Sequence, residues 1–146
     1  MSAPAIFKSV LLPVDIWETP ASLKHVSTAA GLALANACPV HALTVLPDVA
    51  AIEHYRFSAV TFDDALARAE SELRALLERM VPAAVSWTCG VVRGDIYKEI
   101  LRTAQDRAVD LIVMAAHRPR MTDFLIGSNA EKVVRHAKCS VLIVRE

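Results

Sequence analysis

Residues Leu111–Glu146 read LIVMAAHRPRMTDFLIGSNAEKVVRHAKCSVLIVRE. Leu111–Ala115 is a short continuous apolar run, the composition of a strand covered on both faces. A polar loop follows, then Gly127-Ser128 as a helix start, a helix over about 128–137, Cys139-Ser140, and a second apolar run, Val141–Val144. Strand, helix and strand in that order demand a crossover connection and therefore parallel strands. The helix start also has chemical meaning. The first amides of a helix lack partners within it and carry partial positive charge, so Gly127, Ser128 and Asn129 can seat an anion. His117, Arg118 and Arg120 add basic groups in the loop before it. The layout suits a phosphate, and a nucleotide before any particular reaction.

Towards the N-terminus the same alternation repeats. Val10–Val14 (VLLPV) reads as a buried strand and is followed at once by Asp15. Leu23, Val26, Ala30, Ala33 and Ala37 recur at spacings of three and four, predicting an amphipathic helix over 20–37 between Pro20 and Pro39. Val40–Leu46 reads as a second strand, and 47–61 as a long loop without a clean period. Phe62, Leu66, Ala69, Leu73, Leu76 and Met80 restore helical spacing up to Pro82, with the charges mostly off that stripe. From Ala84 to Val92 apolar and polar residues alternate, which predicts a strand with one wetter face near a sheet edge. Gly94-Asp95 opens another helix with Asp95 as its N-cap and Ile96, Ile100, Ala104 and Ala108 as its buried stripe.

The pattern is therefore β-α-β-α-β-α-β-α-β. It predicts an α/β protein: one domain over 1–146, built on an open parallel five-stranded sheet with helices on both faces. With 54% hydrophobic and 22% charged residues the chain is globular in composition. Sixteen basic residues balance sixteen acidic ones, which gives no support for bulk electrostatic binding to nucleic acid or to a membrane surface. No apolar run approaches the roughly 20 residues of a membrane helix. The start, MSAPAIFKSVLLPVD, lacks the charged and apolar regions of a secretory signal. Cys38, Cys89 and Cys139 are widely spaced with no C-x-x-C pair, and they read as free thiols of a cytoplasmic protein.

In open α/β sheets a ligand sits beyond the carboxyl ends of the strands, where strand order reverses. A strand order of 3-2-1-4-5 brings Asp15, His117 and Arg118 to one crevice. Asp15 then has two roles open, accepting hydrogen bonds from a ribose or adenine edge or capping the turn into the first helix. Main-chain groups around Val14 and Val45 could read a base. Ser128 with Glu131 matches the capping box S-x-x-E, which is compatible with an anion on the remaining amides. His117 is either a tuned acid–base group or a hydrogen-bonding loop residue, and Arg118 and Arg120 either meet an anion or are solvated. His25, His41, His54 and His136 show no metal-ligand spacing. There is no G-x-S-x-G, P-loop or H-E-x-x-H motif, and Asp15 and Asp123 are the only loop carboxylates near the crevice. No catalytic residue is assigned, and slow nucleotide hydrolysis stays open.

From SVLLPVD to CSVLIVRE the chain resembles the universal stress protein family. Of that family's G-x2-G-x9-G-[ST] signature the last element stands as Gly127-Ser128, followed by NAEKVVRHAKCSVLIV. At the first two glycines the chain reads Ala115-Ala116-His117-Arg118-Pro119, an A-x-H-R-P form that resembles the F/G-type branch. The resemblance implies a Rossmann-like fold of the adenine nucleotide alpha hydrolase kind and a homodimer joined through the last strand, Val141–Val144. It also implies an ATP site, with or without Mg2+, formed by Pro13, Val14, Asp15, Val45, Met114, Ala115, His117, Arg118, Gly127, Ser128, Asn129, Ser140 and Val141.

Two functions follow. One is a dimeric stress-response regulator that binds ATP or a related adenine nucleotide, with slow or absent hydrolysis. The other is a nucleotide-free dimer acting on protein partners through its surface, including the irregular segment around Tyr55, Arg56 and Phe57.

Overall fold

The structure, a computed structural model, describes residues 4–16, 23–47, 62–116 and 126–145. Within them the chain runs β1 (Val10–Pro13), α1 (Lys24–Asn36), β2 (Val40–Leu46), α2 (Phe62–Met80), β3 (Trp87–Arg93), α3 (Ile96–Asp106), β4 (Leu111–Ala115), α4 (Ser128–His136) and β5 (Ser140–Val144). The five strands form one sheet in the order β3-β2-β1-β4-β5, and every adjacent pair is parallel. The expected α/β fold and strand order both hold.

Alternation along the strands divides the apolar residues between two cores. Val10, Leu12, Val40, Ala42, Leu111 and Val113 face α1 and α2. Leu11, Leu43, Ile112 and Met114 face α3 and α4. The central β1 is buried on both sides, which is why its sequence is a continuous apolar run. Pro13 ends it, where a residue without an N–H no longer interrupts the ladder. β3 is an edge strand, as its alternation predicts, but it begins at Trp87; Val85 instead closes a turn through its N–H to the Pro82 carbonyl at 3.0 Å. On α2 the buried stripe runs through Ala65, Ala69, Leu73, Leu76 and Leu77, while Leu66 is only half-buried.

Two alanines assigned to buried helical stripes serve a different purpose. Ala37 and Ala108 are exposed and have φ of 49° and 52°. Each is the left-handed residue that stops a helix. Past α1, the Ala37 N–H reaches the Leu34 carbonyl and the Cys38 N–H reaches that of Ala33. Past α3, Ala108 bonds to Gln105 and Val109 to Ala104 in the same pattern. This is the Schellman closure, with alanine where glycine is usual.

The amino end of the sheet is fastened by side chains. The Asp110 carboxylate accepts the Lys8 N–H at 2.9 Å and the Ser9 N–H at 3.0 Å. Asn36 accepts the N–H groups of Ile6 and Phe7 while donating to Leu32. No helix among the described residues is long and apolar enough to cross a membrane.

Candidate functional site

Strand order reverses between β1 and β4, whose chain connections leave in opposite directions across the sheet. Pro13, Val14 and Asp15 lie at and just past the carboxyl end of β1, Val45 near that of β2, and Met114 and Ala115 at that of β4. The start of α4 is joined directly to this rim. Ala116 donates its N–H to the Val144 carbonyl at 3.0 Å, and the Ala116 carbonyl accepts the Gly127 N–H at 2.7 Å. Ala130 and Val133 bury one face of α4 against Ile100 and Ala104 of α3. The Lys132 ammonium stands 4.8 Å from the centre of the Tyr97 ring, a further tie between the two helices.

This geometry revises the set of anion donors. The Gly127 N–H is engaged by Ala116, and the first intrahelical bond is Glu131 N–H to Gly127 carbonyl at 3.0 Å. Ser128, Asn129 and Ala130 therefore carry the amides that precede that bond and have no acceptor within the helix. Ala130 went unnoticed in the sequence because its side chain belongs to the core. The capping box does not form. Gly127 occupies the N-cap, so Ser128 is already the first helical residue, and Glu131 pairs with Arg135 at 3.3 Å. Asp95 does take the N-cap of α3, but without a side-chain capping bond, and its carboxylate pairs with Lys98 at 3.3 Å.

Ser140 and Val141 are not part of this rim. They begin β5 and align with Leu111 and Ile112, whereas Val144 aligns with Ala115. Four residues of strand, about 13 Å, separate Ser140 from the carboxyl end. The parallel direction of β5 removes both from the site. His117, Arg118, Arg120, Asp123 and the Tyr55–Phe57 segment lie outside the described residues.

The corner after β1 is held by groups that sequence patterns did not single out. The Val14 N–H donates to the Leu43 carbonyl at 2.8 Å. The Val14 carbonyl accepts the Thr44 hydroxyl at 2.9 Å, and the Pro13 carbonyl accepts the His25 Nε2–H at 3.1 Å. His25 and Thr44 are each 2% exposed. The one available signal was a histidine on the apolar face of α1, beside Val26 and Ala29.

Among the described residues no cluster of three or more His, Cys, Asp or Glu side chains is placed to hold a metal ion. The three cysteines are free thiols, and burial raises the pKa of each.

These features define a doubly wound α/β protein with a helix start fixed at the switch point of its sheet. The chain belongs to the universal stress protein family, whose sequence profile matches residues 6–145. It is similar to universal stress protein G of Shigella flexneri, 32% identical over 143 residues that span 96% of this chain and 100% of the relative. Among solved structures it is similar to universal stress protein UspA from Lactobacillus plantarum, with a TM-score of 0.77 and 24% identity over 98% and 99% of the two chains. The universal stress protein from Archaeoglobus fulgidus in complex with dAMP superposes with a TM-score of 0.61 at 19% identity, covering 96% of this chain and 99% of that one. A universal stress protein in complex with cAMP gives 0.62 at 22% identity, covering 95% and 97%.

Proposed function

We propose that this chain binds an adenine nucleotide, with ATP as the expected form, in the crevice between the ends of β1 and β4. The observation that carries this reading is the start of α4. The Gly127–Ala116 bond fixes it to the end of β4, so that the Ser128, Asn129 and Ala130 amides open at the switch point beside β1. Phosphate there meets three donors and the positive end of a helix. Asp15 follows β1 on the other wall and supplies a carboxylate acceptor for a ribose or adenine edge. His117 and Arg118, in the loop between β4 and α4, are proposed to add charge to the phosphate side. The dAMP and cAMP complexes of similar proteins support the adenine class of ligand.

The same reading makes the protein a cytoplasmic dimeric regulator of one domain, with slow or absent hydrolysis. β5 is the outer strand beside β4, and its Leu142 is 37% exposed, so a second copy pairing along Val141–Val144 would cover an open edge. Calorimetric titration with ATP, ADP and AMP, each with and without Mg2+, tests the nucleotide reading. Micromolar affinity that is lost in Asp15→Ala supports it. Absence of heat with all three nucleotides refutes it and leaves the surface-only dimer as the function to pursue.

A further inference from the structure

We infer that Thr44 and His25 are positioning residues of this site, setting the peptide planes that present Asp15 to the ligand; this rests on the nucleotide reading above. Among the described residues, only three polar side chains are buried, and two of these converge on consecutive carbonyls, those of Pro13 and Val14. An apolar core does not need them. Their neighbours on the same faces are Val26, Ala29, Val40 and Ala42, and valine in place of Thr44 would fill the same volume without a hydroxyl to satisfy. The contribution of the two polar groups is therefore orientation rather than burial.

The orientation follows from peptide geometry. Pro13 has no N–H, and the Val14 N–H is bonded to Leu43 of β2. The Val14 carbonyl is turned the same way by the Thr44 hydroxyl of β2. No cis peptide is present among the described residues, so the Val14–Asp15 unit is planar and trans, and the Asp15 N–H points opposite to that carbonyl. Opposite to β2 is the β4 side, where α4 begins. The His25 imidazole fixes the preceding peptide through the Pro13 carbonyl, which can only accept, so Nε2 is the protonated nitrogen in this contact. Two buried donors, one from β2 and one from α1, thus fix the backbone that leads into Asp15, with the Asp15 N–H on the side of the anion donors.

The test compares ATP titrations and thermal melts of the wild type, Thr44→Val, Thr44→Ser, His25→Leu and His25→Gln. Thr44→Val should weaken ATP binding about tenfold, the scale of one lost hydrogen bond, while Thr44→Ser should stay within about threefold of wild type. His25→Gln, which keeps a donor, should bind more tightly than His25→Leu, so the comparison survives if one variant fails to fold. Equal affinity in Thr44→Val and wild type would overturn the positioning role and leave the nucleotide site standing. Equal loss in Thr44→Val and Thr44→Ser would assign the effect to packing and overturn it as well. A wild-type protein that binds no nucleotide would overturn both readings.

Discussion

The Gly127 N–H donates to the Ala116 carbonyl across 2.7 Å, and this one bond joins the end of β4 to the start of α4 over a connection of ten residues. Because it occupies the Gly127 amide, the donor set for an anion moves one residue along the chain. Ser128 becomes the position to test. It is the first helical residue after Gly127, whose ψ of 149° is extended and compatible with a following proline. Ser128→Pro therefore keeps the helix start and deletes one amide. ATP affinity should fall by about 2 kcal/mol, roughly thirtyfold, with the melting temperature little changed. Unchanged affinity in calorimetry would remove the α4 amides from the site.

Replacing the left-handed alanines should stabilise the protein. Ala37→Gly and Ala108→Gly each relieve a Cβ held at positive φ, against the greater unfolded-state freedom of glycine. Each should gain about 0.5–1 kcal/mol, and the two gains should add because the sites end different helices. Urea unfolding of the single and double variants measures this. A loss of stability in either would show that the exposed methyl has a packing role.

Acid should weaken the fold through His41. The residue is 7% exposed, and its ring bonds through Nδ1 to the Thr88 hydroxyl at 2.6 Å. Burial, and behind it the charge of Arg107, lower its pKa to about 4 from the ordinary 6.5. The unfolded chain thus takes up a proton before the folded one does. The His41 contribution is present above about pH 6.5, shrinks as pH falls through that value, and is gone below the folded pKa; by about pH 5 the loss is about 2 kcal/mol. Stability measured from pH 7.5 to 4.5 should flatten in His41→Gln. Parallel profiles for the two proteins would place the acid sensitivity elsewhere.

The exposed edge of β5 gives a test of assembly. If β5 pairs with its twin about a two-fold axis perpendicular to the strand, Leu142→Lys brings two introduced ammonium groups near each other at the interface. Like charges there cost several kcal/mol, so the dimer dissociation constant measured by sedimentation velocity should rise by about a hundredfold or more, shifting the protein towards monomer. A dimer of wild-type strength would move the interface to another surface.

The sheet was legible in the sequence because buried parallel strands are uninterrupted apolar runs: Val40–Leu46 and Leu111–Ala115 match their strands residue for residue. Helix ends were harder. Alanine fits any position of a periodic stripe, and only the closure of the backbone shows that Ala37 and Ala108 have left the helix. The S-x-x-E pattern misled at Ser128 because the N-cap lies one residue earlier, which turns Glu131 towards Arg135. Ser140 and Val141 came from resemblance alone, and resemblance did not state which end of β5 they occupy. Thr44 and His25 act on carbonyls 30 and 12 residues away, a relation that no local pattern carries.

Asp110, finally, constrains the order in which the chain can be completed. Its carboxylate holds Lys8 and Ser9 from 102 and 101 residues away, and β1 pairs with β4 immediately beyond it. During synthesis β1 emerges before either of its sheet neighbours, and β4 follows long after β2. Closing so long a loop is entropically slow, and contacts of this range delay folding. The central strand of the sheet, made before the other four, is thus among the last to be fully enclosed, and until Asp110 arrives the nascent chain has an apolar edge to protect.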